Sequence, residues 1–263
     1  MNLLTLNVHA WLEEDQEAKI RYLADVIAEK DYDVIALQEV NQSISAPKVM
    51  GEVRSDNYGI VLLDLLKEKG ITDYHYYWSP SHIGYDVYEE GVALLTRDKV
   101  LEVENFYTSK SQDMHTIDSR KIIKLQLEVD NQVLEIYSCH MNLPSSRIEN
   151  QQDNLQRLVQ HSDFSGLKIF LGDFNTDAIG SPQAYQVILD QGLLDTYQLA
   201  QEKDDGITAS KAIDGWADQL EGKRLDYVFL NQERSVSASR VIFNNRYKQV
   251  VSDHFGLEVT INI

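Results

Sequence analysis

Short apolar runs separated by polar loops dominate this chain, and few of the runs are long enough for helices. Leu3-Leu4-Thr5-Leu6-Asn7-Val8 reads as a strand, with Asn7 near its end and His9 and Trp11 in the loop beyond. Within residues 17 to 29, Ile20, Leu23, Ala24 and Ile27 fall at i, i+3, i+4 and i+7, which predicts an amphipathic helix. Val34 to Leu37 are too few for a helix and too continuous for a half-exposed strand, so a strand covered on both faces is expected, delivering Gln38 and Glu39 at its end. A second helix is expected over residues 57 to 69, closed by Gly70. Residues 74 to 78 look strand-like, and after Pro80 a loop rich in tyrosine and histidine is expected from Ser81 to Gly91, ahead of a strand over 92 to 96. A polar loop over 108 to 119 leads through Arg120 into a strand over 122 to 129. Asn131 then marks the turn into a strand over 133 to 140. Ser146 to Glu149 have the form of a capping box opening a helix with Ile148, Leu155 and Val159 on one stripe, and a short helix is expected over 182 to 190. A polar stretch from 201 to 223 carries Asp214, Gly215 and Trp216 and precedes a strand over 225 to 230; a last strand runs to Ile263.

The chemistry concentrates where these strands end. The run Lys168-Ile169-Phe170-Leu171 meets Gly172 and then the acid-x-amide sequence Asp173-Phe174-Asn175. Along an extended chain, side chains two apart point the same way, so Asp173 and Asn175 face one space while Phe174 turns inward. The carboxylate can hold a divalent cation or take a proton from water, and the amide can donate to an anionic oxygen. An Asx-rich turn capping the next element is the alternative reading. Asn7, Glu39 and His140 occupy equivalent positions on other strands. Asp226 shares a face with Val228 and Leu230, which would bury a carboxylate that must be paired, most naturally with a histidine.

Charge narrows the partners. With 24 Lys+Arg against 42 Asp+Glu the net charge is 24 − 42 = −18, and no basic run appears, so tight sequence-independent binding to nucleic acid is not expected. A small phosphorylated substrate screened by a metal suits this balance better. The chain lacks a window of about 18 uninterrupted apolar residues and lacks a basic segment ahead of an apolar one at its start, so no membrane association is expected. With Cys139 as the single cysteine, a cytoplasmic protein is the expectation, and with no internal linker one domain over residues 1–263.

Leu6-Asn7-Val8, Leu37-Gln38-Glu39-Val40, Ser138-Cys139-His140-Met141, Gly172-Asp173-Phe174-Asn175, Leu225-Asp226-Tyr227-Val228-Phe229 and Ser252-Asp253-His254-Phe255 together resemble, in order and over almost the whole chain, the motifs of the endonuclease/exonuclease/phosphatase superfamily. Its members include pancreatic deoxyribonuclease, abasic-site endonucleases, inositol polyphosphate phosphatases and neutral sphingomyelinases. The resemblance implies a four-layer α/β/β/α sandwich of two mostly antiparallel sheets flanked by helices, with the site at the sheet ends. It implies that Glu39 is the chief Mg²⁺ ligand, with Asn7 beside it; oxygen ligands suit Mg²⁺, or Mn²⁺ as the alternative, rather than zinc. Asp173 would orient or deprotonate the attacking water, and Asn175 and His140 would donate to phosphoryl oxygens. His254, next to Asp253, would contact phosphate or act as general acid with a carboxylate holding its tautomer, and Asp226 would do the same for His140. Arg120 would clamp phosphate, or else form a surface ion pair.

The loops decide the substrate. Leu6 to Trp11, the segment from His82 to Asp86, and Tyr88-Glu89-Glu90-Gly91 resemble a smaller group from lactic-acid bacteria that includes phosphatases of maltose 6'-phosphate. On that resemblance the expected activity is hydrolysis of a sugar phosphate, with His82 and Tyr85 among the substrate contacts. Trp78, Tyr88 and Trp216 are further faces on which a sugar could stack, Trp216 being the one assigned to substrate; packing against neighbouring segments is the alternative reading of these aromatics, Tyr85 included. A phosphodiesterase acting on nucleic acid or a phospholipid head group is the second reading, and a non-catalytic regulatory protein on this scaffold the third.

Overall fold

The computed structural model describes residues 1–210, 213 and 222–263. In chain order its elements are β1 (Asn2–Asn7), α1 (Gln16–Lys30), β2 (Val34–Ser43), β3 (Lys48–Met50), β4 (Val53–Arg54), α2 (Tyr58–Glu68), β5 (His75–Gly84), β6 (Tyr88–Thr96), β7 (Lys99–Tyr107), β8 (Lys121–Val129), β9 (Gln132–His140), α3 (Gln151–Gln160), β10 (Leu167–Asp173), α4 (Pro182–Leu189), β11 (Leu194–Asp195), α5 (Thr196–Leu199), β12 (Glu202–Lys203), β13 (Asp226–Leu230), β14 (Val236–Ile242) and β15 (Gly256–Ile261). They build a seven-stranded sheet in the order β12-β14-β15-β1-β2-β6-β5 and a six-stranded sheet in the order β11-β13-β10-β9-β8-β7, with β3 and β4 as a separate ribbon. Among the described residues of the two large sheets, only β1–β2, β9–β10 and β12–β14 are parallel.

Three apolar layers separate four structural ones. Leu3, Val34, Ala36, Val92 and Leu94 from one sheet meet Leu125, Ile136, Ile169, Leu171 and Val228 from the other. On the outer face of the first sheet, Leu4, Leu6, Ile35 and Leu37 pack under Ile20, Leu23 and Ile27 of α1 and Leu62 and Leu66 of α2. On the outer face of the second, Tyr137, Cys139, Phe170 and Phe229 pack under Leu155 and Leu158 of α3 and Ile188 of α4. Central strands thus bury both of their alternating faces, which is why they read as continuous apolar runs. This is the expected α/β/β/α sandwich.

Several local expectations change. The segment from Ser81 to Gly91 is mostly strand: β5 continues through Gly84, the chain turns at 85–87 with Tyr85 and Asp86 at φ 52° and 59°, and β6 returns from Tyr88. Pro80 and Gly91 suggested a loop but mark a register shift between Pro80 and His82, where a Cβ on Gly91 would stand 2.2 Å from the Ser79 carbonyl oxygen. Glu39 lies not at the end of β2 but at an irregularity between Leu37 and Val40, with φ 52°, and the strand runs on to Ser43. The capping box forms only in part: Ser146 Oγ accepts from the Glu149 amide at 3.0 Å, but no helix opens there. Helix α3 begins at Gln151 under Asn150, whose side chain accepts from the amides of Gln152 and Asp153, while Glu149 accepts from the amides of Lys110 and Ser111 and Ile148 is 68% exposed. Strand β7, an edge strand with exposed Leu101 and Val103, was not anticipated because its apolar residues are too few to mark it. Among the described residues no helix is long and apolar enough to cross a membrane.

Candidate active site

Strand pairing assembles the site. The parallel β9–β10 register sets Asp173 beside His140, and the antiparallel β10–β13 register sets Asp226 on the other side of Asp173. Asn7 ends β1, next to β2, which carries Glu39. Asp253 and His254 directly precede β15, whose antiparallel pairing with β1 brings them to the same end of the sandwich. Gly172 makes the close approach possible: at φ 146° its Cβ would lie 1.9 Å from the Cys139 carbonyl oxygen, so only glycine leads into Asp173.

These residues converge on a cavity of about 380 Å³ lined by Glu39, His82, Tyr85, Glu90, Arg120, His140, Asp173, Asn175, Asp253 and His254, among others. Asn7 and Asp226 lie behind that wall, fully buried. The Asn7 amide nitrogen donates to Glu39 Oε1 at 2.7 Å and to Asp173 Oδ2 at 3.3 Å, while its oxygen accepts from the His9 amide at 3.2 Å. As placed, Asn7 therefore holds two carboxylates together, and its oxygen could face a cation only after the amide turned over. Asp173 Oδ2 also lies 3.8 Å from Nε2 of His140 and 3.7 Å from Nε2 of His254. Its other oxygen accepts from the amide of Asn175 at 2.8 Å, and the Asn175 side chain donates to the Met141 carbonyl at 3.0 Å.

The two histidines are held differently. His254 Nδ1 is 2.9 Å from Asp226 Oδ2, so Asp226 serves His254 and not, as expected, His140. His140 Nδ1 instead lies 3.2 Å from Nη1 of Arg120, which is buried in the wall and not a surface ion-pair residue. Burial opposes charge on His254, but the Asp226 and Asp173 carboxylates outweigh it and hold the imidazole well above the ordinary histidine range. Burial, reinforced by Arg120, pushes His140 well below that range. Burial also raises Asp173 to about 6, against the pull of His254 and with Asp226 adding to the rise. Burial beside Glu90 and Asp253 pushes Glu39 up to about 8.

Of the remaining candidates, His82 is buried, with Nε2 3.4 Å from Glu90 Oε1, and Tyr85 stands 58% exposed at the mouth. Trp78 is a core residue whose indole donates to the Val40 carbonyl. Trp216 lies outside the described residues. Sequence reasoning missed Glu90, which lies among His82, Arg120 and His140; its signal was the acidic pair before Gly91, unreadable until β5 and β6 are recognised as a hairpin. It also missed His9, whose Nδ1 lies 2.8 Å from Glu13 and 3.8 Å from Asp253. Although burial opposes it, the hydrogen bond to Glu13 and the charge of Asp253 raise His9 to about 9.

Buried carboxylates, flanked by imidazoles and a guanidinium, thus line one cavity at the end of the sandwich. The chain matches the model of the endonuclease/exonuclease/phosphatase family over residues 5–254 and belongs to that family of phosphoester hydrolases. Among solved structures it is similar to an endonuclease/exonuclease/phosphatase family protein from Leptotrichia buccalis C-1013-b, at 50% identity over 100% of both chains with a TM-score of 0.95. The mannosyl-6-phosphatase of Bacteroides thetaiotaomicron VPI-5482 shares the fold at 17% identity over 100% of both chains, with a TM-score of 0.74. D. rerio TDP2, complexed with a single strand DNA product, shares it at 18% identity over 100% of this chain and 99% of that one, with a TM-score of 0.69. No curated protein matches the chain in sequence.

Proposed function

We propose that the protein is a divalent-cation-dependent phosphomonoesterase acting on a small sugar phosphate, with maltose 6'-phosphate among the substrates to test first. The observation that carries this is the cavity of about 380 Å³: it is sized for one small molecule, with the reacting groups inside and Tyr85 at its mouth. The mannosyl-6-phosphatase of the same fold supports the monoester, and the −18 charge with no basic run argues against a long polyanion. TDP2, with its DNA product, keeps a phosphodiester as the second reading. The one cysteine, Cys139, is buried and free, as suits the reducing cytoplasm in which such a substrate would be met.

The donor set fits a hard cation. Glu39 and Asp253 offer carboxylate oxygens to the cavity, no described cysteine lines it, and the pressure of neighbouring acids on Glu39 is what a divalent ion relieves. Mg²⁺ or Mn²⁺ bound there would neutralise phosphoryl oxygen charge. The chain's own groups do the rest. Asp173, poised near neutrality and oriented by the Asn175 amide, orients water and takes its proton at Oδ2. His140 and His254 present Nε2 from two sides of that oxygen, where they meet phosphoryl oxygens as donors. His254, its Nδ1 held by Asp226, is placed to deliver the proton on Nε2 to the leaving oxygen.

A panel of hexose, mannose and maltose phosphates, bis-aryl phosphodiesters and DNA, each with Mg²⁺ or Mn²⁺, tests the reading. Release of inorganic phosphate from a sugar monophosphate is expected, with rates nearly constant between roughly 50 and 200 mM salt, a range over which a binder of many phosphates loses ~10³ in affinity. Efficient cleavage of DNA with no phosphate released from any sugar phosphate would overturn it.

A further inference from the structure

We propose that Arg120 is a positioning residue for His140: its guanidinium donates to Nδ1 and confines the ring proton to Nε2, so that His140 presents an N–H donor to the cavity. Only the kinetic consequence rests on the hydrolase reading above; the tautomer stands on geometry.

Arg120 Nη1 and His140 Nδ1 are 3.2 Å apart and both side chains are buried. A guanidinium has donors and no acceptor, so Nδ1 must supply the lone pair and cannot itself bear a proton in this contact. The proton is left on Nε2, which faces Asp173 Oδ2 at 3.8 Å and Glu39 Oε1 at 3.9 Å. His254 is the reverse case. Its Nδ1 meets a carboxylate, which only accepts, so Nδ1 carries a hydrogen and the ring can hold a second on Nε2. One carboxylate oxygen, Asp173 Oδ2, is thus approached by two imidazole nitrogens of opposite backing.

Glu90 explains why Arg120 is needed. Its Oε1 lies 4.0 Å from His140 Nδ1, 3.9 Å from Arg120 Nη1 and 3.4 Å from His82 Nε2. Arg120 stands closer to Nδ1 than Glu90 does and so keeps Glu90 from doing for His140 what Asp226 does for His254. Without the guanidinium, Glu90 is the nearest carboxylate to Nδ1, and His140 becomes a second carboxylate-backed imidazolium.

Long-range proton–nitrogen correlation on the full chain labelled with ¹⁵N-histidine, near neutral pH, reads the tautomer directly, with the His140 signal assigned by its loss in His140→Gln. The wild type is expected to show Nδ1 bare and Nε2 protonated, and Arg120→Lys, which keeps a donor, the same pattern. Arg120→Met is expected to gain a proton on Nδ1 and to lose it again when Glu90→Gln is added. On the phosphomonoester turned over best, Arg120→Met should lower kcat roughly tenfold or more with KM within about threefold. A wild-type His140 protonated on Nδ1 overturns the proposal whatever the substrate. So does a raised KM with unchanged kcat in either variant, the behaviour of a phosphate clamp. If Arg120→Met does not fold, the wild-type tautomer and the Arg120→Lys kinetics decide. If no phosphoester is hydrolysed, the proposed function fails while the tautomer measurement still stands.

Discussion

Asp226→Asn isolates a single interaction of the site. The Asp226 carboxylate is fully buried, and its Oδ2 lies 2.9 Å from Nδ1 of a buried His254. Opposite charges about 4 Å apart attract by ~4 kcal/mol at an effective dielectric constant near 20. Asparagine keeps an oxygen that can accept from Nδ1, a neutral hydrogen bond worth about 1 kcal/mol. The imidazolium therefore loses roughly 3 kcal/mol, or ~10² in population relative to the neutral ring. If His254 delivers the proton, the alkaline limb of kcat moves down by roughly 2 pH units while KM stays within about threefold. The pH dependence has a definite sign. The folded protein holds His254 above the ordinary histidine range, burial notwithstanding, because of Asp226 and Asp173. Its charged form, and the stability it contributes, are fully present at acid pH and lost as pH rises through the folded value. Removing Asp226 brings that loss to lower pH, so the alkaline limb of kcat moves down and the neutral-pH melting temperature falls. Phosphate release across pH, with thermal melts read by circular dichroism, measures both. An alkaline limb in its original place with kcat within about threefold would refute the coupling of Asp226 to the chemistry.

Glu39→Gln should lower activity by ~10² or more without unfolding the protein, and added Mg²⁺ should restore part of it; an unchanged Mg²⁺ dependence would take Glu39 out of metal binding. Asp173→Asn should abolish turnover yet stabilise the protein in EDTA at pH 8. A carboxyl raised from 3.8 to about 6 opposes folding increasingly between those pH values and fully above them, on the order of 3 kcal/mol, so a variant melting no higher than wild type would count against that burial penalty. Gly172→Ala sets a methyl 1.9 Å from the Cys139 oxygen at a backbone angle of φ 146°. A cost of about 3 kcal/mol or more is expected, seen as a melting temperature lower by roughly 6–12 °C, and an unchanged melt would mean that β9 and β10 can separate freely.

Much of the architecture was legible because buried central strands are continuous apolar runs and amphipathic helices repeat at their own period. Leu4, Leu6, Leu3 and Val34 to Leu37 declared both of their faces, and α1 its stripe. Strand β7 stayed hidden because an edge strand with exposed Leu101 and Val103 needs no such pattern. The hairpin β5–β6 was mistaken for a loop because Pro80, Gly84 and Gly91 carry turn signals, whereas Gly91 is there so that one backbone can approach another.

Local sequence by itself determined which polar residues would sit where strands of the core reach their ends or break: Asn7, Glu39, His140, Asp173 and Asn175 all follow apolar runs that have only one direction to leave the interior. It also determined that Asp226, sharing a buried face, needed a partner. Which histidine that partner is could be decided only by strand order. Asp226 and His140 flank Asp173 on opposite neighbouring strands, β13 and β9, while the loop before β15 carries His254 from the other sheet to within 2.9 Å of Asp226. The placement of Arg120 against His140, and of Glu90 behind both, likewise depends on which strands lie side by side and on how the two sheets stack, relations between residues far apart in the chain that no local pattern encodes.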